Sequence, residues 1–210
     1  MTDGLLFVYT EPGPVPVDEF HDWYDTEHGP ARLTVPGIAN GYRFAALDDL
    51  APQWLATYDL SLEALQGAEY KAVVAGASDR EKSIMSRLAT LDRRVYELIS
   101  TSGPAAKVPP PAVLAVSLSI PHGQEDDLAA WYTDEHIPML LDVPGWGRIR
   151  RFRLVDGTAP TFLSLHEIDG VSVFDEPGYR EAVSTPWRDR IVASAIGRER
   201  RVFGLRNSLN

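Results

Sequence analysis

FHDWYDTEHGPARLTVPGIANGYRF at residues 20–44 and LAAWYTDEHIPMLLDVPGWGRIRRF at residues 128–152 are two versions of one segment, set apart by a constant shift of 108 positions. Eleven of the 25 aligned residues are identical without a gap, among them Trp23/Trp131, Tyr24/Tyr132, Glu27/Glu135, His28/His136, Pro30/Pro138, Arg43/Arg151 and Phe44/Phe152. A period of this length is that of a small domain, not of a solenoid, whose units run ~20–50 residues. The chain therefore reads as two like units in tandem, 1–102 and 112–210, joined by a Pro-rich connector at 103–111.

The same order of elements unfolds around each copy. Leu5–Thr10 and Val113–Ile120 are apolar, β-branched runs that read as strands. Asp18–His28 and Glu125–His136 open with acids suited to a helix N-terminus, and Pro30 and Pro138 end or kink these helices two residues beyond the histidines. Val-Pro-Gly turns lead into strands at Ala39–Leu47 and Gly147–Val155, followed by strands at Gln53–Leu60 and Thr161–Ile168. Helical stretches come next, Leu62–Ala75 with Asp79–Leu91, then Tyr179–Ala195, with a capping-box pattern at Ser78–Glu81 and Pro186 suited to a first helical turn. Strands Arg93–Ile99 and Arg200–Leu205 close the halves. The order β-α-β-β-α-β occurs twice, which is the ferredoxin-like plan of the α+β class. Two such units pack sheet against sheet in this reading, with the helices outside and a cavity between the inner faces.

The net charge of −10 speaks against nucleic acid and anionic membranes as partners. Residues 1–104 carry net −8 and residues 105–210 net −2, the second half holding a basic cluster at Arg148, Arg150, Arg151 and Arg153. The absence of cysteine excludes disulfides, thiolate metal sites and a cysteine nucleophile. MTDGLLFVYT lacks a basic n-region, and no apolar run approaches ~18 residues. These features set the expectation of a cytoplasmic protein, a monomer with an internal pseudo-dimer or a homodimer of it, acting on a small molecule.

His28 and His136 are the leading catalytic candidates. Placed at a helix C-terminus, an imidazolium is favoured and the pKa raised, which suits an acid, a base or a hydrogen-bond donor. The same position also suits a histidine that merely caps the helix. Tyr58 and His166 occupy equivalent strand positions and add a phenol and an imidazole to the catalytic set. Arg43 and Arg151 lie mid-strand, where they hold an anionic substrate oxygen or pair with neighbouring acids. Trp23, Tyr24, Trp131 and Tyr132 seat the first helix on its sheet and join the substrate-binding candidates. Glu27 and Glu135 orient the adjacent histidine or form surface pairs. Two histidines 108 residues apart, with no evident third ligand, give little metal signal, and no cofactor is expected.

The segments W-Y-x-x-E-H-x-P…V-P-G, the downstream Arg-Phe pairs and the terminal Arg-Arg-Val-aromatic pattern resemble the EthD-like branch of the dimeric α/β-barrel superfamily, one family unit per half. The resemblance implies a barrel formed within one polypeptide and a cavity-facing histidine near the end of the first helix, at His28 and His136. Relatives include cofactor-independent cyclases, muconolactone-type isomerases, decarboxylase-like proteins and antibiotic-biosynthesis monooxygenases, and some members use heme. The expected function is a cofactor-independent lyase, cyclase or isomerase step on an aromatic or polyketide-like anion, in catabolism or secondary metabolism. The alternatives are a non-catalytic ligand-binding or stress-related protein and a heme- or metal-dependent monooxygenase.

Overall fold

A computed structural model of the chain describes residues 2–104, 107 and 109–210. The elements run β1 (Gly4–Glu11), α1 (Val17–Trp23), a π turn (Tyr24–His28), α2 (Gly29–Leu33), β2 (Ile38–Ala46), β3 (Trp54–Leu60), a 3₁₀ turn (Leu62–Gln66), α3 (Ala68–Ala75), α4 (Asp79–Arg87) and β4 (Thr90–Ser102). The second series is β5 (Ala112–Ser119), α5 (Glu125–Trp131), a π turn (Tyr132–His136), α6 (Ile137–Leu141), β6 (Trp146–Asp156), β7 (Phe162–Ile168), a 3₁₀ turn (Val171–Asp175), α7 (Pro177–Ala182), α8 (Pro186–Ser194) and β8 (Gly197–Ser208). The hydrogen-bonded strand order β1-β3-β2-β8-β5-β7-β6-β4 returns to its start, making the fold an α+β closed antiparallel barrel of eight strands.

Two compact units divide the chain. The first holds residues up to Glu97 with Val155–Thr158 and Leu205–Asn210, and the second holds Leu98–Leu154 with Ala159–Gly204. Positions 105, 106 and 108 of the expected connector lie outside the described residues. Within the first unit β1 pairs with both β3 and β4, so Leu6 sits between Tyr58 and Val95. Within the second, β5 pairs with β7 and β8, and Leu114 sits between His166 and Val202. Strand side chains alternate between faces, so Leu6, Val8, Ala56, Tyr58 and Val95 share a face and pack with Phe20, Trp23 and Tyr24 of the first helix. Leu114, Leu118, Ile149 and Val202 do the same with Leu128, Trp131 and Tyr132. The other faces are buried as well, at Leu5, Phe7, Tyr9 and Leu55 and at Val113, Ala115, Leu163 and Leu165. Burial of both faces explains why β1 and β5 read as nearly continuous apolar runs.

Two expectations are corrected here. The helices do not end at His28 and His136. Each runs on for a further turn, to Leu33 and Leu141, after a π turn closed by the Gly29 N–H on the Tyr24 carbonyl or the Ile137 N–H on the Tyr132 carbonyl. Pro30 and Pro138 stand in the first turn of the continuation, where a missing N–H costs little. Thr26 and Thr133 donate their hydroxyls back to the carbonyls of Asp22 and Ala129 at 2.6 and 2.9 Å, a bond that bends helices. The helical stretch expected at Tyr179–Ala195 is broken into α7 and α8: Pro186 stands in a first helical turn as expected, and Thr185 caps that new start, accepting the Arg188 N–H at 3.1 Å. The Val-Pro-Gly turns are explained by backbone geometry: Gly37 and Gly145 have φ of 92° and 82°, a region that disfavours any Cβ.

Candidate functional site

In the first unit the π turn and α4 bring together residues 53 positions apart. His28 Nδ1 lies 3.0 Å from Glu81 Oε1, which also accepts from Arg32 at 2.9 Å. Arg32 makes a further bond to the His28 carbonyl at 3.2 Å. An ionised carboxylate can only accept, so the Nδ1 carries the proton and Nε2 is left as an acceptor. Burial lowers the His28 pKa to about 4, with Arg32 acting in the same sense against the upward pull of Glu81. The His28 hydrogen bond, aided by Arg32, in turn holds Glu81 down at about 2. Tyr58 donates to the Tyr24 hydroxyl at 3.3 Å. His28, Arg32, Tyr24 and Tyr58 border a cavity of about 310 Å³ whose other walls include Leu6, Val8, Tyr70, Val74, Met85 and Leu91, with Glu81 behind His28 and Arg32.

The second unit holds a cavity of about 210 Å³ in the equivalent place, lined by Tyr132, His136, His166, Trp131, Trp146 and Tyr179 among others. His136 Nδ1 is 3.2 Å from the Ala182 carbonyl, an acceptor, so here too Nδ1 bears the proton and Nε2 accepts. His166 is held in the opposite tautomer. The Trp146 indole N–H donates to its Nδ1 at 3.3 Å, which leaves an Nε2–H donor. Burial, aided by Arg188, lowers His136 to about 4 against the pull of the Ala182 carbonyl. Burial, with His136 and Arg200, takes His166 to about 3. Both imidazoles are therefore neutral at pH 7; for His136, as for His28, this is contrary to the helix-terminus expectation of a raised value. The lining includes Arg188, Arg198 and Arg200 and no acid. Arg188 pairs with exposed Asp189 at 3.0 Å, while Arg200 bonds the Tyr179 hydroxyl at 3.4 Å.

The two cavities are built from corresponding positions. Leu6 matches Leu114, Val8 Val116, Tyr24 Tyr132, His28 His136, Tyr70 Tyr179, Val74 Val183 and Arg93 Arg200. The departures concern charge and hydrogen bonding: Tyr58 becomes His166, Arg32 becomes Leu140, Leu91 becomes Arg198, and Glu81 becomes Arg188. Glu81 and Arg188 each stand three residues after the capping Ser78 and Thr185. Loss of the Arg32–Glu81 pair and gain of Arg188 and Arg198 thus turn a neutralised cavity into a positive one.

The remaining candidates fall elsewhere. Arg43 and Arg151 lie on the helix-facing side of their sheets rather than facing an inter-sheet cavity, and neither is among the described residues lining these cavities. Arg43 is 1% exposed, donates to Asp25 at 2.7 Å and sits over the Tyr24 ring at 4.2 Å. Arg151 stacks over Tyr132 at 4.3 Å with no acid partner among the described residues, and Thr133 stands where the first unit has Asp25. Glu27 and Glu135 take hydrogen bonds from Ser78 and Thr185 and so fasten the long helix to the caps of α4 and α8. Trp131 stacks on His136 at 4.3 Å and 20°, whereas Trp23 meets His28 tilted at 52°. Arg32, Glu81, Trp146, Tyr179, Arg188, Arg198 and Arg200 escaped the sequence reading. The one legible signal was the matched position of Glu81 and Arg188 after two capping residues.

Neither a protein-family model nor a curated protein sequence matches the chain. Solved structures do match in fold. An anthrone oxidase-like protein superposes with a TM-score of 0.67 at 15% identity, covering 98% of this chain and 91% of its own. A ferredoxin-fold protein related to antibiotic biosynthesis monooxygenases, from Listeria monocytogenes, gives 0.53 at 11% over 99% and 96%. A heme-degrading enzyme from the same species gives 0.51 at 9% over 95% and 98%. The chain thus has the ferredoxin-like dimeric α/β-barrel fold over its whole length. Heme does not fit the two cavities as they stand: although His28 and His136 each keep an Nε2 lone pair, at about 210 and 310 Å³ the cavities are smaller than a tetrapyrrole. Among the described residues no group of three or more His, Asp or Glu could hold a metal ion. Among the described residues no helix is long and apolar enough to cross a membrane.

Proposed function

We propose that the chain is a tandem fusion of two EthD-like units and a cofactor-independent enzyme of lyase, cyclase or isomerase type, working on an aromatic or polyketide-like anion in the second unit's cavity. The observation that carries this reading is a cavity bordered by two neutral imidazoles of opposite tautomer, three arginines and no acid. Aromatic walls at Trp131, Trp146 and Tyr179 suit a planar substrate. The arginines suit a carboxylate, phenolate or enolate, since Arg binds planar anions well. His136 Nε2 removes a proton from carbon or oxygen, the base being oriented by Ala182. His166 Nε2–H donates to the oxygen on which charge develops, oriented by Trp146. An anion beside His136 opposes the lowering by Arg188 and so raises the basicity of the imidazole in the complex.

The test is binding of 2-naphthoate and its methyl ester, followed by a turnover screen of aromatic and polyketide-like acids. Wild type should prefer the acid at least ~10-fold, about one charge-assisted contact, and Arg198→Met with Arg200→Met should erase that preference. His136→Ala should lower turnover of any substrate found by ~10²–10⁴-fold. Equal affinity for acid and ester in wild type would sink the reading.

A further inference from the structure

The first unit's cavity does not repeat the second's chemistry. We infer that it is a separate binding site for a neutral, largely apolar molecule carrying one hydroxyl group, such as an un-ionised phenol or naphthol. The charges around it are cancelled within the protein: Glu81 is held by Arg32 and His28, and Arg93 by Asp156 at 2.7 Å. An ionised ligand would meet no free counter-charge there, and burying it would be costly. Two polar atoms remain available. His28 Nε2 accepts, because Nδ1 is committed to Glu81. The Tyr24 hydroxyl already accepts from Tyr58, so its own proton is free to donate. A single hydroxyl satisfies both, giving its proton to His28 and accepting from Tyr24. Leu6, Val8, Val74 and Met85 enclose the hydrocarbon part. This inference concerns a different cavity from the proposed reaction and stands or falls without it.

The experiment is titration of the full chain with 2-naphthol and with 2-naphthoate at pH 7.5, read by calorimetry. One molecule of 2-naphthol should bind, about 5–10-fold more weakly to Tyr24→Phe, as for one lost neutral hydrogen bond, and equally well to His136→Ala. A second variant, Leu91→Arg, changes an exposed residue at the cavity wall and supplies the cation that Arg198 gives the other unit. It should create a new naphthoate site lost again on adding Tyr24→Phe. Binding of 2-naphthol that disappears in His136→Ala but survives Tyr24→Phe would overturn the inference. So would wild-type naphthoate binding that depends on Tyr24, or no 2-naphthol binding at all.

Discussion

At the residue scale the exchange of Glu81 for Arg188 controls the imidazole beside it. Arg188→Glu restores a carboxylate next to His136 and should raise its pKa from about 4, by removing a like charge and adding an opposite one. The Trp131–His136 stack supplies the readout, because protonation turns it into a cation–π contact that alters indole emission. Emission should change near pH 4 in wild type and at higher pH in Arg188→Glu, with naphthoate affinity lost in parallel. An unshifted midpoint would show that Arg188 does not act on His136. A second residue contrast concerns the buried arginines. Asp25→Ala leaves Arg43 without its carboxylate and should cost ~3 kcal/mol in chemical denaturation. Thr133→Ala at the matching position should cost no more than ~0.5 kcal/mol.

At the scale of elements the π turn is the device that aims the histidine. Its extra residue lets a helix carry Trp23 and Tyr24 onto the sheet and still turn His28 towards Glu81; such turns gather at functional sites. Deleting Thr133 should close the second turn to α geometry and swing His136 away from Ala182. Helical circular dichroism should persist while naphthoate binding is lost, and retained binding would show that the turn is dispensable. The repeated W-Y-x-x-E-H-x-P motif, the succession of strands and helices along the chain and the Val-Pro-Gly turns were legible because each rests on local chemistry: periodicity, a fixed proline φ or a glycine needing positive φ. The π turn was not, since proline two residues past the histidine reads as a stop until tertiary packing pays back the irregular turn. Glu81 was read as half of a capping box because the backbone bond to Ser78 is local, whereas its side-chain partners lie about fifty residues away. The arginines of β6 drew notice as a cluster, but the cations that line the second unit's proposed site, Arg188, Arg198 and Arg200, come from α8 and β8.

At the scale of the whole molecule the buried imidazoles set a pH limit. His21, His28 and His136 titrate at about 4 and His166 at about 3 in the fold, against about 6.5 in the unfolded chain. Below pH ~6.5 the unfolded chain binds more protons, so stability falls as pH drops towards 4. Glu81, held at about 2, adds a loss of the same sign below pH ~4.5. Urea midpoints should be lower at pH 5 than at pH 7.5 with an unchanged m-value, and His136→Gln with His166→Gln should narrow the gap. Equal wild-type midpoints would show that the fold tolerates imidazolium. The correspondence of Glu81 with Arg188 also bears on heredity. In a homodimer each codon is read into both copies of a site, and a charge favourable to one ligand is imposed on both. Here each cavity has its own codons, so opposite charges at matching positions can be inherited together and selected apart.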